Sequence, residues 1–280
     1  MGLDRVTIIT LGSAIPPAVG IFGRLEGLLR MPDTGLDEIV DLVRVDPALT
    51  FQIIRLGNSV FYGGKHRCES LEEAVARIGF GDIHSLVGLV AARQCCRSDL
   101  LAYQIPAQRF WENSVATGQI MAAFARCNGI DAHKAYSTGL LRNLGRIVLN
   151  DHGGAVRYPG EAVAPDLAAW EQTTYRTTAA EVGAVLLEHW RFSPDTIAAL
   201  RAHLNPAQSA ESVQCAAMLH LAAATADGWG LGLPGERQLW HQEPAMLALA
   251  GLPEEGFAPA VQQAREKFDR VTQIKWANAA

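Results

Sequence analysis

Residues 46–63 read DPALTFQIIRLGNSVFYG, and this stretch contains a helix start, an apolar stripe and a helix stop. Asp46 is a candidate N-cap, because a short carboxylate can accept hydrogen bonds from the first-turn amides. Pro47 suits the first helical position, where no amide hydrogen is needed. Leu49, Ile53, Leu56 and Val60 then recur at spacings of three and four, the period of a helix that buries one face. Asn58 and Ser59 end the run ahead of the Gly63-Gly64 turn, as polar groups at a helix terminus do.

The same grammar extends outward. Upstream, Leu36, Ile39, Val40 and Val43 repeat the stripe behind Thr34, a candidate cap with Asp37 three residues on. That helix ends at Asp46 and Pro47, since proline disfavours helix in the residue before it. Downstream, Ser70 and Glu73 form a capping box ahead of Leu71, Val75 and Ile78, with Gly79 as the stop. Ile83, Leu86, Val87 and Val90 supply the next stripe. Helical periodicity dominates from Leu36 onward, and four short helices here predict a compact bundle.

Leu100 to Gln108, broken by Pro106, reads as a connector between lobes, and Trp111, Ser114, Val115, Gly118, Met121 and Ala125 then mark a longer helix. Further helices are predicted over Asp131–Leu141, Leu144–Asn150, Pro165–Tyr175, Ala179–Trp190, Pro194–Leu204 and Glu211–Ala226. The tail is glycine-rich from Gly228 to Gly235 and then offers helices over Gln238–Leu249 and Pro259–Ile274. Its apolar positions Leu239, Trp240, Met246, Leu247 and Leu249 are suited to burial. No stretch alternates as a strand, so the fold class is all-α.

A chain of 280 residues that is 49% hydrophobic can bury a large core, which excludes a disordered chain and a disulfide-stapled mini-protein. The net charge of -5 argues against nucleic acid as a partner held by a broad basic surface. Cys68, Cys95, Cys96, Cys127 and Cys215 form no CxxC pair, and such thiols fit a reducing cytoplasm. The N-terminus has Asp4 beside Arg5 and a short apolar stretch broken by Pro16 and Pro17, neither a signal-peptide core nor a spanning helix. The expectation is a cytoplasmic protein with no membrane insertion.

DPALTFQIIRLGNSVFYG together with SLEEAVARIGFGDIHSLV resembles the first lobe of bacterial HDOD domains. The resemblance extends back to IPPAV and forward through FWENSVATGQIMAAFA, AYSTGLLRNLGRIVL, AAEVGAVLLEHW and ALRAHL, covering about residues 14–226. It implies an all-α, two-lobed helical fold whose second lobe is related to HD-type metal phosphohydrolases, and a non-catalytic signal-transduction role. The chain then divides into an N-terminal segment (1–13), an N-terminal helical lobe (14–104), an HD-like helical lobe (105–226) and a C-terminal helical extension (227–280).

In that resemblance the first metal-binding His of HD hydrolases aligns with Asn113, the His-Asp pair with Arg142 and Asn143, and the last Asp near Ala222 or Ala223. Additional histidines of metal-binding relatives fall at Ala179, His203 and Leu204, which leaves one imidazole. No chelating set remains, and the guanidinium of Arg142 would repel a divalent cation. The expectation is therefore no metal, no cofactor and no catalytic residues.

Asn113, Arg142, Asn143, Arg146 and His203 together offer guanidinium forks, amides and an imidazole, a set suited to phosphate or carboxylate. The competing structural reading pairs Arg142 with an acid such as Glu181 and uses the amides to satisfy buried backbone. Asp151-His152 inverts the HD pair but abuts Gly153-Gly154, which predicts a loop. His189, His203 and His220 match no ligand spacing. Phe61 and Tyr62, in the loop after Asn58-Ser59, are the candidate contact for a protein partner.

The favoured expectation is a non-enzymatic regulatory scaffold that acts through contacts with signalling proteins. One alternative is a metal-dependent phosphodiesterase or phosphohydrolase rebuilt from Asp151, His152, Glu181 and His203. A second is a sensor of a nucleotide or other anion using the Arg142 pocket.

Overall fold

The computed structural model describes residues 3–59, 61–63, 66–164, 166–209, 212–240 and 244–273. Its helices are, in order, α1 (Arg5–Gly12), α2 (Ala18–Leu29), α3 (Leu36–Arg44), α4 (Pro47–Gly57), α5 (Leu71–Ile78), α6 (Phe80–Cys95), α7 (Ala107–Cys127) and α8 (Ala132–Leu140). They continue with α9 (Leu144–Gly153), α10 (Leu167–Tyr175), α11 (Ala179–His189), α12 (Pro194–Ala202), α13 (Val213–Ala226), α14 (Pro244–Leu249) and α15 (Glu254–Thr272). No strand forms among the described residues, and Leu100 with Ile105 makes an isolated antiparallel bridge. The fold is all-α, and it divides into two compact units, one over Ile15–Cys95 and one that joins the residues up to Ala14 with Cys96–Thr272.

In the Ile15–Cys95 unit the sequence signals act as local chemistry requires. The Asp46 carboxylate accepts from the amides of Ala48 and Leu49 at 2.9 and 3.0 Å, which fixes the start of α4. The Ser70 hydroxyl accepts from the Glu73 amide at 3.2 Å, while the Glu73 carboxylate reaches past Ser70 to the amide of Glu69. Asn58 spends both ends of its amide on the chain: Nδ2 donates to the carbonyls of Ile54 and Cys68, and Oδ1 accepts from the Cys68 amide. Gly79, at φ +79°, turns the chain between α5 and α6 by 115°. Phe22, Ile39, Leu49, Ile53, Val75, Ile83 and Val87 meet in the core with no exposed surface.

Two local expectations need correction in this unit. The cap of α3 is Gly35, whose amide donates to Glu38, while the Thr34 hydroxyl turns back to the carbonyl of Leu28. Helicity also begins before Leu36. In α2, Ala18, Val19, Ile21, Phe22, Gly23, Leu25 and Glu26 are all buried, so the helix hides most of its girth and leaves no narrow apolar stripe to read.

In the Cys96–Thr272 unit, α7 packs against α8, α13 and α15, while α1, capped by Asp4, packs on α9 and α11. Glycines set the close approaches: a Cβ on Gly139 would lie 2.6 Å from the carbonyl oxygen of Thr117, and one on Gly145 would overlap that of Ala179. These contacts clamp α8 on α7 and the start of α9 on α11. Helix α9 runs to Gly153, so Asp151 and His152 sit in its last turn instead of a loop. Helix α15 begins five residues early, at Glu254, because Glu254 and Glu255 furnish an acidic first turn ahead of Pro259. The helix expected over Gln238–Leu249 starts only at Pro244. Residues 237–239 form a turn, 241–243 lie outside the described residues, and Leu249 stays 36% exposed. Among the described residues no single helix is long and apolar enough to cross a membrane.

Candidate functional site

The close packing of Gly139 on Thr117 and Gly118 brings one face of α7 against the turn between α8 and α9, while Gly145 seats the start of α9 on α11. Asn113 comes from the second turn of α7, Arg142 and Asn143 from the turn between α8 and α9, and Arg146 from the first turn of α9. All are at most 5% exposed. The residues after α13 complete the group. Helix α13 passes into a wide helical turn over Asp227–Leu231, and the irregular segment that follows presents Glu236, itself 1% exposed, to both arginines.

Arg142 grips Glu236 as a fork, Nη1 to Oε1 at 2.8 Å and Nη2 to Oε2 at 3.0 Å. Arg142 Nη2 also donates to Asn113 Oδ1 at 3.0 Å, and Asn143 Nδ2 donates to the same oxygen at 2.9 Å. The other end of Asn113 donates to the carbonyl of Leu231 at 2.9 Å. Arg146 donates through Nη2 to Glu236 Oε1 and lies 5.5 Å from the Tyr103 ring centroid. Tyr103 in turn donates to Glu171 Oε1 at 2.9 Å, while Glu171 Oε2 accepts from the amide of Ala179 at 2.7 Å. Trp240 covers the opposite side, its ring centroid 5.3 Å from the Arg142 guanidinium and stacked on His203 at 6.3 Å.

Burial and charge set the protonation states. Burial alone would raise the pKa of Glu236, but the charges of Arg142 and Arg146 outweigh it and hold the carboxyl below its usual value. Burial lowers His203 to about 3, and the neighbouring Arg142 adds to that. His203 is therefore a neutral imidazole, and because its Nδ1 faces the carbonyl of Leu200 at 2.7 Å, the proton sits on Nδ1. Burial raises Glu171, against the pull of Arg146 and two donated hydrogen bonds.

The sequence-derived set is thus partly assembled. Asn113, Arg142, Asn143 and Arg146 form one network, and His203 lines the same recess as the arginines. Glu181 does not join them: it pairs with Arg201 at the surface of α11 and α12. The acid that neutralises Arg142 is Glu236, which corrects the suggestion of Glu181. Asp151 and His152 lie at the exposed end of α9, and among the described residues they form no metal-holding group with Glu181 and His203. In the other unit, Phe61 is 45% exposed, while Tyr62 is half-buried with its hydroxyl donating to Asp82 at 3.1 Å. Glu236, Glu171 and Tyr103 were not singled out by sequence reasoning. The available signal was that Glu236 is the one acid between Asp227 and Glu243 in an apolar, glycine-rich run, a place where a lone carboxylate needs an internal partner.

The model of the HDOD domain family matches residues 15–206, well over half of the chain. The chain belongs to the HDOD family. This HDOD protein is 28% identical over 192 residues to an uncharacterized protein of Treponema pallidum (strain Nichols), a match covering 65% of the chain and 36% of that protein. Among solved structures it is similar to a provisionally named signal transduction protein of Marinobacter aquaeolei VT8 (22% identity, TM-score 0.69), over 92% of this chain and 58% of the other. It also resembles an HDOD domain protein of unknown function from Geobacter sulfurreducens (19%, TM-score 0.68), over 98% of this chain and all of that one. A provisionally named phosphohydrolase of Shewanella amazonensis SB2B aligns likewise (20%, TM-score 0.69), over 96% and 100% of the two chains. The HDOD chain spans about a third of the Treponema protein and 58% of the Marinobacter protein. At these identities the solved structures carry the fold alone.

At the positions that the sequence resemblance aligns with HD metal ligands, the HDOD chain's residues do not fit a divalent cation. Asn113 has both ends of its amide committed, Arg142 brings a positive charge, and Ala222 and Ala223 carry no donor. Among the described residues no three His, Cys, Asp or Glu side chains group to hold a metal.

Proposed function

We propose that this HDOD protein is a non-enzymatic regulatory module of bacterial signal transduction that works through contacts with signalling proteins in the cytoplasm. The observation that carries this reading is the Arg142–Glu236–Arg146 cluster: two guanidiniums sharing one internal carboxylate stand where a hydrolase of this architecture needs anionic and imidazole ligands around a cation. The provisional names of the structural neighbours point in both directions, to signal transduction and to phosphohydrolysis, and the residues of the cluster are what favours the first. Phe61, an exposed aromatic on a turn of the smaller unit, is the side chain assigned to a partner. The reading needs no nucleic acid and no cofactor.

The test is metal content. Protein purified without chelator and equilibrated in turn with manganese, iron, zinc and magnesium is expected to retain below about a tenth of an equivalent of each. Retention of one or two equivalents, together with hydrolysis of a phosphodiester that is lost on chelation, would overturn the reading.

A further inference from the structure

The arginine cluster is not saturated. Arg142 Nε and Arg146 Nη1 are buried donors with no hydrogen-bond partner among the described residues. Both arginines line a recess of about 20 Å³, together with Asn143, Glu171 and His203, which is space for a water and not for a nucleotide base. Leaving charged donors unpaired in such a place is costly, and native proteins seldom do it without a purpose. The two oxygens of Glu236 already take three guanidinium hydrogen bonds. A tetrahedral oxyanion has more acceptor oxygens and a second negative charge, and would match two guanidiniums better than one carboxylate does.

The way Glu236 reaches the cluster bears on the same point. It is carried on an irregular segment after the wide turn at Asp227–Leu231, where Gly230 and Gly235 adopt φ +77° and +84°. Apart from Glu236 itself, the polar anchors of that segment and the turn before it are Arg109 on the carbonyl of Gly230, Asn113 on the carbonyl of Leu231, and the Gly235 amide donating to Glu161 at 2.9 Å. Leu233 is buried and Trp240 lies against Arg142 and His203.

We infer that Arg142 and Arg146 form a binding site for a phosphate-class oxyanion and that Glu236 is its built-in competitor, occupying the site from within the chain until the ligand displaces residues 232–240. Three side chains have separate parts. Arg142 supplies the fork, Arg146 the second charge, and Asn113 fixes the fork's plane through its Oδ1. The His203 imidazole, neutral and protonated on Nδ1, adds no charge to compete with the arginines. This inference goes beyond the partner reading and does not depend on it.

The experiment is calorimetric titration of inorganic phosphate into the wild-type protein, Glu236→Gln and the double variant Glu236→Gln/Arg142→Gln, with adenosine monophosphate as a second probe. The competitor tax predicts that Glu236→Gln binds phosphate about tenfold or more tightly than wild type, and that the double variant loses the gain. Tighter binding of the monophosphate ester than of free phosphate would assign the site to an esterified ligand, and the reverse to the free ion. A folded Glu236→Gln protein that binds neither probe better than wild type does overturns the proposal. If Glu236→Gln does not fold, amide exchange of wild type decides: phosphate, compared with chloride at equal ionic strength, should speed exchange across residues 232–240, and unchanged exchange overturns the proposal.

Discussion

The two units of the chain handle polar burial in opposite ways. In the Ile15–Cys95 unit the core is aliphatic and aromatic, Glu26, Asp46 and His84 are the buried acidic or basic side chains among the described residues, and Asp46 caps the start of α4. In the Cys96–Thr272 unit, Asn113, Arg142, Asn143, Arg146, Glu171 and Glu236 are gathered into one network. Apolar packing suffices for a helical bundle. A concentrated ionic network is costly to desolvate, and it is here, not in the smaller unit, that the anion site is proposed.

The largest effect that would sharpen this contrast is on Glu236. Glu236→Leu leaves two guanidiniums buried without a counter-charge, and urea unfolding should report a loss of about 3–5 kcal/mol. Replacing the whole set, as Arg142→Met/Arg146→Met/Glu236→Leu, should recover most of it, because the packing volume returns without the desolvation cost. If the triple replacement stays as unstable as Glu236→Leu, the network is a structural requirement and the contrast between the units fails.

The contrast was partly legible in the sequence. Asp46, Ser70 and Gly79 act through neighbours two to four residues away, so local patterns place α4, α5 and the turn to α6. Arg142 and Asn113 were singled out only through the family resemblance. Glu236 was not legible, because it is 94 residues from Arg142 and arrives on a segment with no periodicity to read. Helix α2 was missed for the opposite reason: buried on most of its circumference, it shows no stripe.

The next effect is on acid sensitivity. His203 has a folded pKa near 3, below its ordinary 6.5. The unfolded chain therefore takes up the proton first, and stability falls as pH drops through the window between those values. One such group contributes a slope of up to about 1.4 kcal/mol per pH unit. Glu236, held below its usual value by the arginines, adds to the loss once pH falls below the ordinary carboxylate range. Glu171, raised mainly by burial, has the opposite sign: its contribution is lost as pH rises through its elevated value. His203→Gln retains both carboxylates, so its unfolding free energy between about pH 6.5 and 5 should vary with pH by nearly one proton less than wild type. An unchanged slope would mean that His203 is protonated in the folded protein, contrary to the neutral ring that faces the arginines.

The smallest effect belongs to the other unit. Asp46→Ala removes a carboxylate that accepts from the amides of Ala48 and Leu49 and nothing beyond its own helix start. The expected cost is about 1 kcal/mol, the ordinary worth of an N-cap, seen as faster amide exchange at the beginning of α4. Pro47 lacks an amide hydrogen, so those two amides are the donors left orphaned, and the cost should stay near that of one cap. Asp46→Asn keeps an acceptor oxygen and should restore most of the stability. A loss several times larger, not relieved by asparagine, would show that the Asp46 charge is engaged beyond its helix, and the smaller unit would then hold a polar site of its own.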